Sequence, residues 1–185
     1  MPRIPYITDQ QADAAGPPEM VAAIRKRRGG QLIELDRLLL HSPPVAEGWN
    51  HLLGRVRNDL SLSPLLKELA MCTVAVLNGA DYEMHHHAPL YLQAGGTDAQ
   101  VAALATLRSN QNALDDSPLF DATQRAALRL IVQSTRGVKV DQAVFDAVRT
   151  ALGNDRLVFE LVTVVAAYNM VSRILVAFDV QPEHD

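Results

Sequence analysis

Apolar residues recur every three to four positions along almost the whole chain, which is the spacing of amphipathic helices. One clear stripe passes through Leu65, Leu69, Cys72 and Val76. No segment shows the strict alternation of apolar and polar residues that is typical of a half-buried strand, and no internal repeat stands out. The pattern therefore predicts an all-α protein.

Helix start and stop signals divide the apolar stretches into about eight helices. Ser63-Pro64 predicts the start of a helix that runs to about Leu77, where Asn78-Gly79 ends it. Asp81 is a candidate N-cap for the next helix, predicted over 82–93. Residues 1–18 are rich in proline and polar groups and predict an irregular N-terminal arm, and residues 19–185 predict a single helical domain.

Charge and composition exclude several classes of function. The formal net charge of −4 provides no broad basic field, so neither nucleic acid nor an anionic membrane is an expected partner. The basic run 25–28 is interpreted as a solvated helix face. The apolar stretch 157–178 has the length of a membrane span, but Glu160, Asn169, Ser172 and Arg173 interrupt it, which favours a core or subunit-interface helix. With no secretory signal pattern and one cysteine, we expect a cytoplasmic protein.

Proton-carrying side chains gather on two neighbouring predicted helices. On the second helix Glu83 lies one turn before His87 and beside His86, and a carboxylate near an imidazole prepares it for acid/base chemistry. Because the break at 78–80 is short, the first helix can fold back so that Glu68 approaches His87. An equally weighted alternative is a structural Glu68–His87 hydrogen bond that joins the two helices.

Several polar residues are candidates for lining the same site, although core packing explains each of them as well. They are Tyr82, His86, Trp49, Tyr168 and Asn169. Consecutive histidines at 85–87 point about 100° apart on a helix, so they cannot all bind one ion, and we predict no metal site. The lone Cys72, one turn after Glu68, fits a small core residue.

Five segments, in this order and spacing, resemble the carboxymuconolactone decarboxylase and alkyl hydroperoxidase D (AhpD)-like family. They include Ser42-Pro43-Pro44 and the run Tyr82-Glu83-Met-His-His86-His87. The segments are 39–50, 62–70, 79–88, 94–96 and 168–173. The resemblance implies an all-helical AhpD-like bundle that assembles into homo-oligomers such as trimers or hexamers, with its active site around Glu68 and His87.

In the peroxidase branch of that family, the resemblance places a Cys-x-x-Cys pair at the positions of Ala80 and Glu83. Both thiols are missing here, so the peroxide-reducing mechanism of that branch does not carry over. The chain is closer to the decarboxylase-type members, which work without cysteine or cofactor. We therefore expect a lyase, decarboxylase or isomerase that acts on a small carboxylated molecule with Glu68, His87 and Glu83 as catalytic residues. The alternatives are a lone-thiol peroxidase of the peroxiredoxin type and a non-catalytic oligomeric binding protein.

Overall fold

The structure, a computed structural model, describes residues 2–183 and confirms the all-α prediction. Helices account for all of the regular secondary structure in that range, and eight of the ten α-helices have seven or more residues. The helices are α1 (Asp9–Ala14), α2 (Pro18–Arg27), α3 (Glu34–Leu39), α4 (Pro43–Asn58), α5 (Pro64–Asn78), α6 (Asp81–Gln93), α7 (Asp98–Leu104), α8 (Ala122–Gly137), α9 (Gln142–Leu152) and α10 (Asp155–Phe178).

The chain divides into two compact units. The first comprises the N-terminal residues up to Asp59 together with the C-terminal segment that begins at Ala177, and the second is Leu60–Val176. Helices α1 to α4 belong to the first unit, and α5 to α9 with nearly all of α10 belong to the second. The Glu68 and His87 helices therefore lie in the same unit.

The first unit corrects two interpretations of the N-terminal sequence. The arm predicted to be irregular contains α1, because Thr8 and Gln11 form a capping box at its start. The basic run 25–28 is not simply a solvated face. Arg27 and Arg28 are half-buried and both donate to the carboxylate of Asp36, whose side chain is 1% exposed. Burial lowers the pKa of Arg27, and the ion pairs with Asp36 compensate in part.

Helix α5 forms the centre of the second unit and packs against α6 and α8. The side chain of Ser63 caps it as predicted, accepting from the Leu66 N–H. It ends at Gly79, which takes the left-handed conformation with a φ of 68°, so the chain can reverse within two residues. The prediction that Asp81 caps α6 is wrong. Asp81 is the first residue inside that helix, and its carboxylate accepts instead from Arg108 at 3.0 Å.

Helix α10 is long and apolar enough to cross a membrane by length and composition alone, with a mean hydropathy of 1.8 over its most apolar window. Half of that window is buried inside the fold. Its polar residues also bond within the second unit: Glu160 accepts from the Leu62 N–H at 2.8 Å, and Asn169 donates to Thr135 at 3.0 Å. These contacts favour the core-helix interpretation.

Candidate functional site

Glu68 and His87 form a direct pair between α5 and α6. The Nδ1 atom of His87 lies 2.8 Å from Oε2 of Glu68, and their side chains are 7% and 15% exposed, respectively. The approach expected from the short break between the helices is therefore observed. Such a pair is shielded from most of the solvent, yet Glu68 keeps some access to water, which an exchanging proton needs.

The pair defines which nitrogen of His87 is available for proton transfer. An ionised Glu68 accepts the Nδ1–H of His87 and orients the ring. Nε2 then carries the basic lone pair in the neutral ring. In the protonated ring, the carboxylate stabilises the positive charge. This arrangement suits general acid/base chemistry, because the carboxylate binds one edge of the imidazole and leaves Nε2, on the opposite edge, to accept a proton.

Aromatic rings contact two of the three histidines of α6. The ring of Tyr168 on α10 meets His87 edge-on, with 5.0 Å between the centroids and 83° between the planes. Tyr82 packs against His86, with centroids 4.6 Å apart. Tyr168 and Tyr82 are both buried. Of the predicted neighbours, Tyr168 thus contacts His87 directly, and Tyr82 contacts His86 on the same helix as His87.

Glu83 is the most buried of the three predicted catalytic residues. It is 2% exposed, and its Oε2 is hydrogen-bonded to the hydroxyl of Ser172 on α10. Ser172 is fully buried, and its Oγ also lies 2.8 Å from the carbonyl oxygen of Tyr168. The sequence analysis treated Ser172 only as a polar interruption of an apolar helix. The signal that could have found it is its position four residues after Tyr168, on the same face of α10.

Cys72 lies among these acidic groups, in surroundings that disfavour a reactive thiol. It is fully buried, and burial, together with the neighbouring carboxyl groups of Glu68 and Glu83, raises its pKa to about 12. Little of the thiol is therefore ionised at neutral pH. Since the thiolate is the nucleophile, this environment disfavours the lone-thiol peroxidase.

We expect Cys72 to resist alkylation by iodoacetamide in the native protein and to react fully once the chain is unfolded in guanidinium. The reason is that both burial and the neighbouring carboxyl groups disfavour the thiolate. Mass spectrometry after a timed reaction measures the modified fraction. Rapid native labelling, or peroxide consumption that a Cys72→Ala variant loses, would contradict this assignment.

Asn169 and Trp49 have surroundings that differ from a simple pocket lining. The amide of Asn169 donates to Thr135 and to the Val165 carbonyl, and its oxygen accepts from Asn78 at 3.0 Å. Its hydrogen bonds thus join α10 to α8 and α5. Trp49 lies buried in the first unit, and its indole N–H has no hydrogen-bond partner among the described residues. Its role as a pocket residue stays a prediction.

The second unit also has an apolar groove, away from the predicted site residues. Its volume is about 320 Å³, and it lies between α9 and α10. The groove is lined by Phe145, Arg149, Asp155, Val158, Phe159 and Val162. Over residues 2–183, no group of three or more His, Cys, Asp or Glu side chains is placed to hold a metal ion.

Comparison with known proteins finds a family match for the part of the chain that contains Glu68 and His87. Residues 43–114 match the model of the carboxymuconolactone decarboxylase family. No curated protein sequence matches the chain.

Solved structures share the fold over nearly the whole chain. A peroxidase-related protein from Silicibacter sp. TM1040 is 20% identical, with 98% of this chain and 94% of that chain covered and a TM-score of 0.77. An AhpD-core, peroxidase-related protein from Ralstonia eutropha JMP134 is 17% identical, with 98% and 92% covered and a TM-score of 0.80. A variant of the debrominase Bmp8 in complex with 2,3,4-tribromopyrrole is 17% identical, with 96% and 90% covered and a TM-score of 0.75. The helical architecture is therefore of the AhpD-like type, and residues 43–114, which contain both Glu68 and His87, are similar to the carboxymuconolactone decarboxylase family.

Proposed function

We propose that the protein is a cysteine-independent lyase, decarboxylase or isomerase that acts on a small carboxylated organic molecule. The observation that carries this proposal is the pair of His87 Nδ1 and Glu68 Oε2, 2.8 Å apart and mostly shielded from solvent. Glu68 orients the imidazole, and His87 moves the proton through Nε2. The similarity of residues 43–114 to the carboxymuconolactone decarboxylase family supports a reaction of this class, because decarboxylation and isomerisation each need a proton delivered to, or removed from, carbon.

Alternatives that use other chemistry have less support from the site. A thiol mechanism would depend on Cys72, whose burial and acidic neighbours keep it protonated. A purely structural pair needs no access to solvent, whereas the side chain of Glu68 remains 15% exposed. The partial exposure of one carboxylate beside a buried imidazole is the arrangement expected of a proton-exchanging pair.

A solvent-isotope experiment tests the proposal. The purified protein is incubated in D₂O with a panel of small lactones and unsaturated carboxylic acids, and the products are followed by NMR and mass spectrometry. We expect at least one compound to lose CO₂ or to shift a double bond, with deuterium incorporated at the carbon that receives the proton. The double variant Glu68→Gln, His87→Ala is the control. If the wild-type protein converts no compound of the panel faster than this variant does, the proposal is overturned. The small-molecule partner and the assembly into a trimer or hexamer stay predictions.

A further inference from the structure

Ser172 has one hydroxyl hydrogen but two oxygen neighbours at hydrogen-bond distance. These are Oε2 of Glu83 and, at 2.8 Å, the carbonyl oxygen of Tyr168. Ser172 is fully buried and Glu83 is 2% exposed, so protein groups enclose this cluster. A carbonyl oxygen can only accept, and an ionised carboxylate can only accept as well.

The number of hydrogens therefore distinguishes the two protonation states of Glu83. With Glu83 ionised, Ser172 can donate to only one neighbour, and the other contact brings the lone pairs of two oxygens together without a hydrogen between them. With Glu83 protonated, its O–H donates to Ser172 Oγ and the Ser172 O–H donates to the Tyr168 carbonyl. Every contact then contains one hydrogen, as buried polar groups generally require.

Burial and the nearby carboxyl group of Glu68 act in the same direction. Glu68 on α5 and Glu83 on α6 both lie near the fully buried Cys72, so the two carboxyl groups share one small, largely buried region. A second negative charge there is disfavoured by the first and by burial. His87 faces the same region from α6, but its Nδ1 is engaged by Glu68. From α10, the region is faced by the uncharged Tyr168 and Ser172.

We infer that Ser172 holds Glu83 as a neutral carboxylic acid, so that the site contains two carboxyl groups in opposite protonation states. This inference rests on the proposed function for its chemical meaning. Glu68 with His87 forms the basic side of the site, and Glu83 forms the acidic side. In a decarboxylation, the substrate C–C bond to the carboxylate breaks and CO₂ leaves. The electron pair that remains on carbon takes the Glu83 proton, after which Glu83 is an anion that water reprotonates.

Infrared spectroscopy tests the protonation state without any substrate, so its outcome is independent of whether turnover is found. The wild-type protein at pH 7 is compared with Glu83→Gln, which keeps the shape of a neutral carboxyl group but lacks its absorption. We expect Glu83→Gln to lose the C=O stretching band of one protonated carboxylic acid, a band that shifts in D₂O. If Glu83→Gln instead loses the bands of an ionised carboxylate, the inference is overturned.

Matched variants assign the band and test the role of Ser172. Glu68→Gln is expected to lose carboxylate bands, and Glu34→Gln, which removes a glutamate whose pKa is raised by burial, should leave the Glu83 band in place. Ser172→Ala is expected to shift the acid band or remove it, and Ser172→Thr should restore it because the hydroxyl returns. Ser172→Ala with an unchanged spectrum would contradict the role of Ser172.

One further measurement covers the case in which Glu83→Gln does not fold. The wild-type protein is labelled with ¹³C only in its glutamate side chains. The label shifts the absorption band of a protonated glutamic acid away from the band of any aspartic acid. We expect one such shifted band at pH 7 that responds to Ser172→Ala. Its absence from the labelled wild-type protein would overturn the inference.

Discussion

Replacing Glu68 by Gln is expected to reduce turnover by roughly 10²- to 10⁴-fold while the protein stays folded. Gln has nearly the same shape, and its side-chain oxygen can still accept the Nδ1–H of His87, so the hydrogen bond at 2.8 Å can persist. The negative charge is lost, however, and with it the stabilisation of a protonated imidazole. His87→Ala removes the proton carrier itself and should lower turnover at least as much. Steady-state kinetics on a substrate found in the isotope screen, together with thermal unfolding, measure both effects.

His85→Ala is the matched control, because His85 lies in the same run of histidines but is exposed. It is expected to keep both the turnover and the melting temperature of the wild-type protein. The combination of effects separates catalysis from a structural role. If the pair only joins two helices, His87→Ala should lower the melting temperature strongly, as expected for leaving a buried partner unsatisfied at about 1–3 kcal/mol. A Glu68→Gln variant with unchanged turnover would exclude the catalytic role of Glu68.

Replacing Asn169 by Leu is expected to destabilise the protein by about 3 kcal/mol. Leu has a similar volume but leaves Thr135 on α8 and Asn78 on α5 without the partners that they have now. The side chain of Arg173, which also donates to Asn169 Oδ1 at 3.0 Å, loses the same acceptor. Chemical denaturation with guanidinium measures the free energy of unfolding.

Met170→Leu, at the next position and on the exposed side of α10, is the control, with an expected change within about 0.5 kcal/mol. The comparison bears on the predicted substrate-binding role of Asn169. If Asn169 acts mainly by joining helices, Asn169→Leu lowers stability, and any folded fraction keeps its Michaelis constant. If the variant is instead as stable as the wild-type protein but has a much higher Michaelis constant, the result would support direct contact between Asn169 and the substrate.

Short-range signals explain why much of the helical pattern could be predicted. Ser63 caps α5, Thr97 and Gln100 form a capping box at α7, and Gly153 ends α9 in the left-handed conformation. In each case the stabilising partner lies within four residues, so the local sequence contains the whole interaction. The error at Asp81 has the same origin, because its partner Arg108 lies 27 residues away and draws the carboxylate outward.

The approach of Glu68 to His87 was also predictable, although 19 residues separate the two. A short break between two helices allows few arrangements other than an antiparallel pair, and the helical period then determines which faces meet. The partners of Glu83 and Arg27 do not follow from such a rule. Ser172 is 89 residues from Glu83, and Asp36, the buried partner of Arg27, lies on a helix that the pattern alone could not orient.

The sequence by itself therefore determined the helical class, most helix ends and the acid–imidazole pair, because periodicity and capping act over one or two helical turns. Only the tertiary structure decided that Glu83 meets Ser172, that Asn169 joins three helices and that Cys72 is enclosed. Those contacts depend on how α10 packs against α5, α6 and α8, and such long-range packing is set by the combined burial of many side chains rather than by any local pattern.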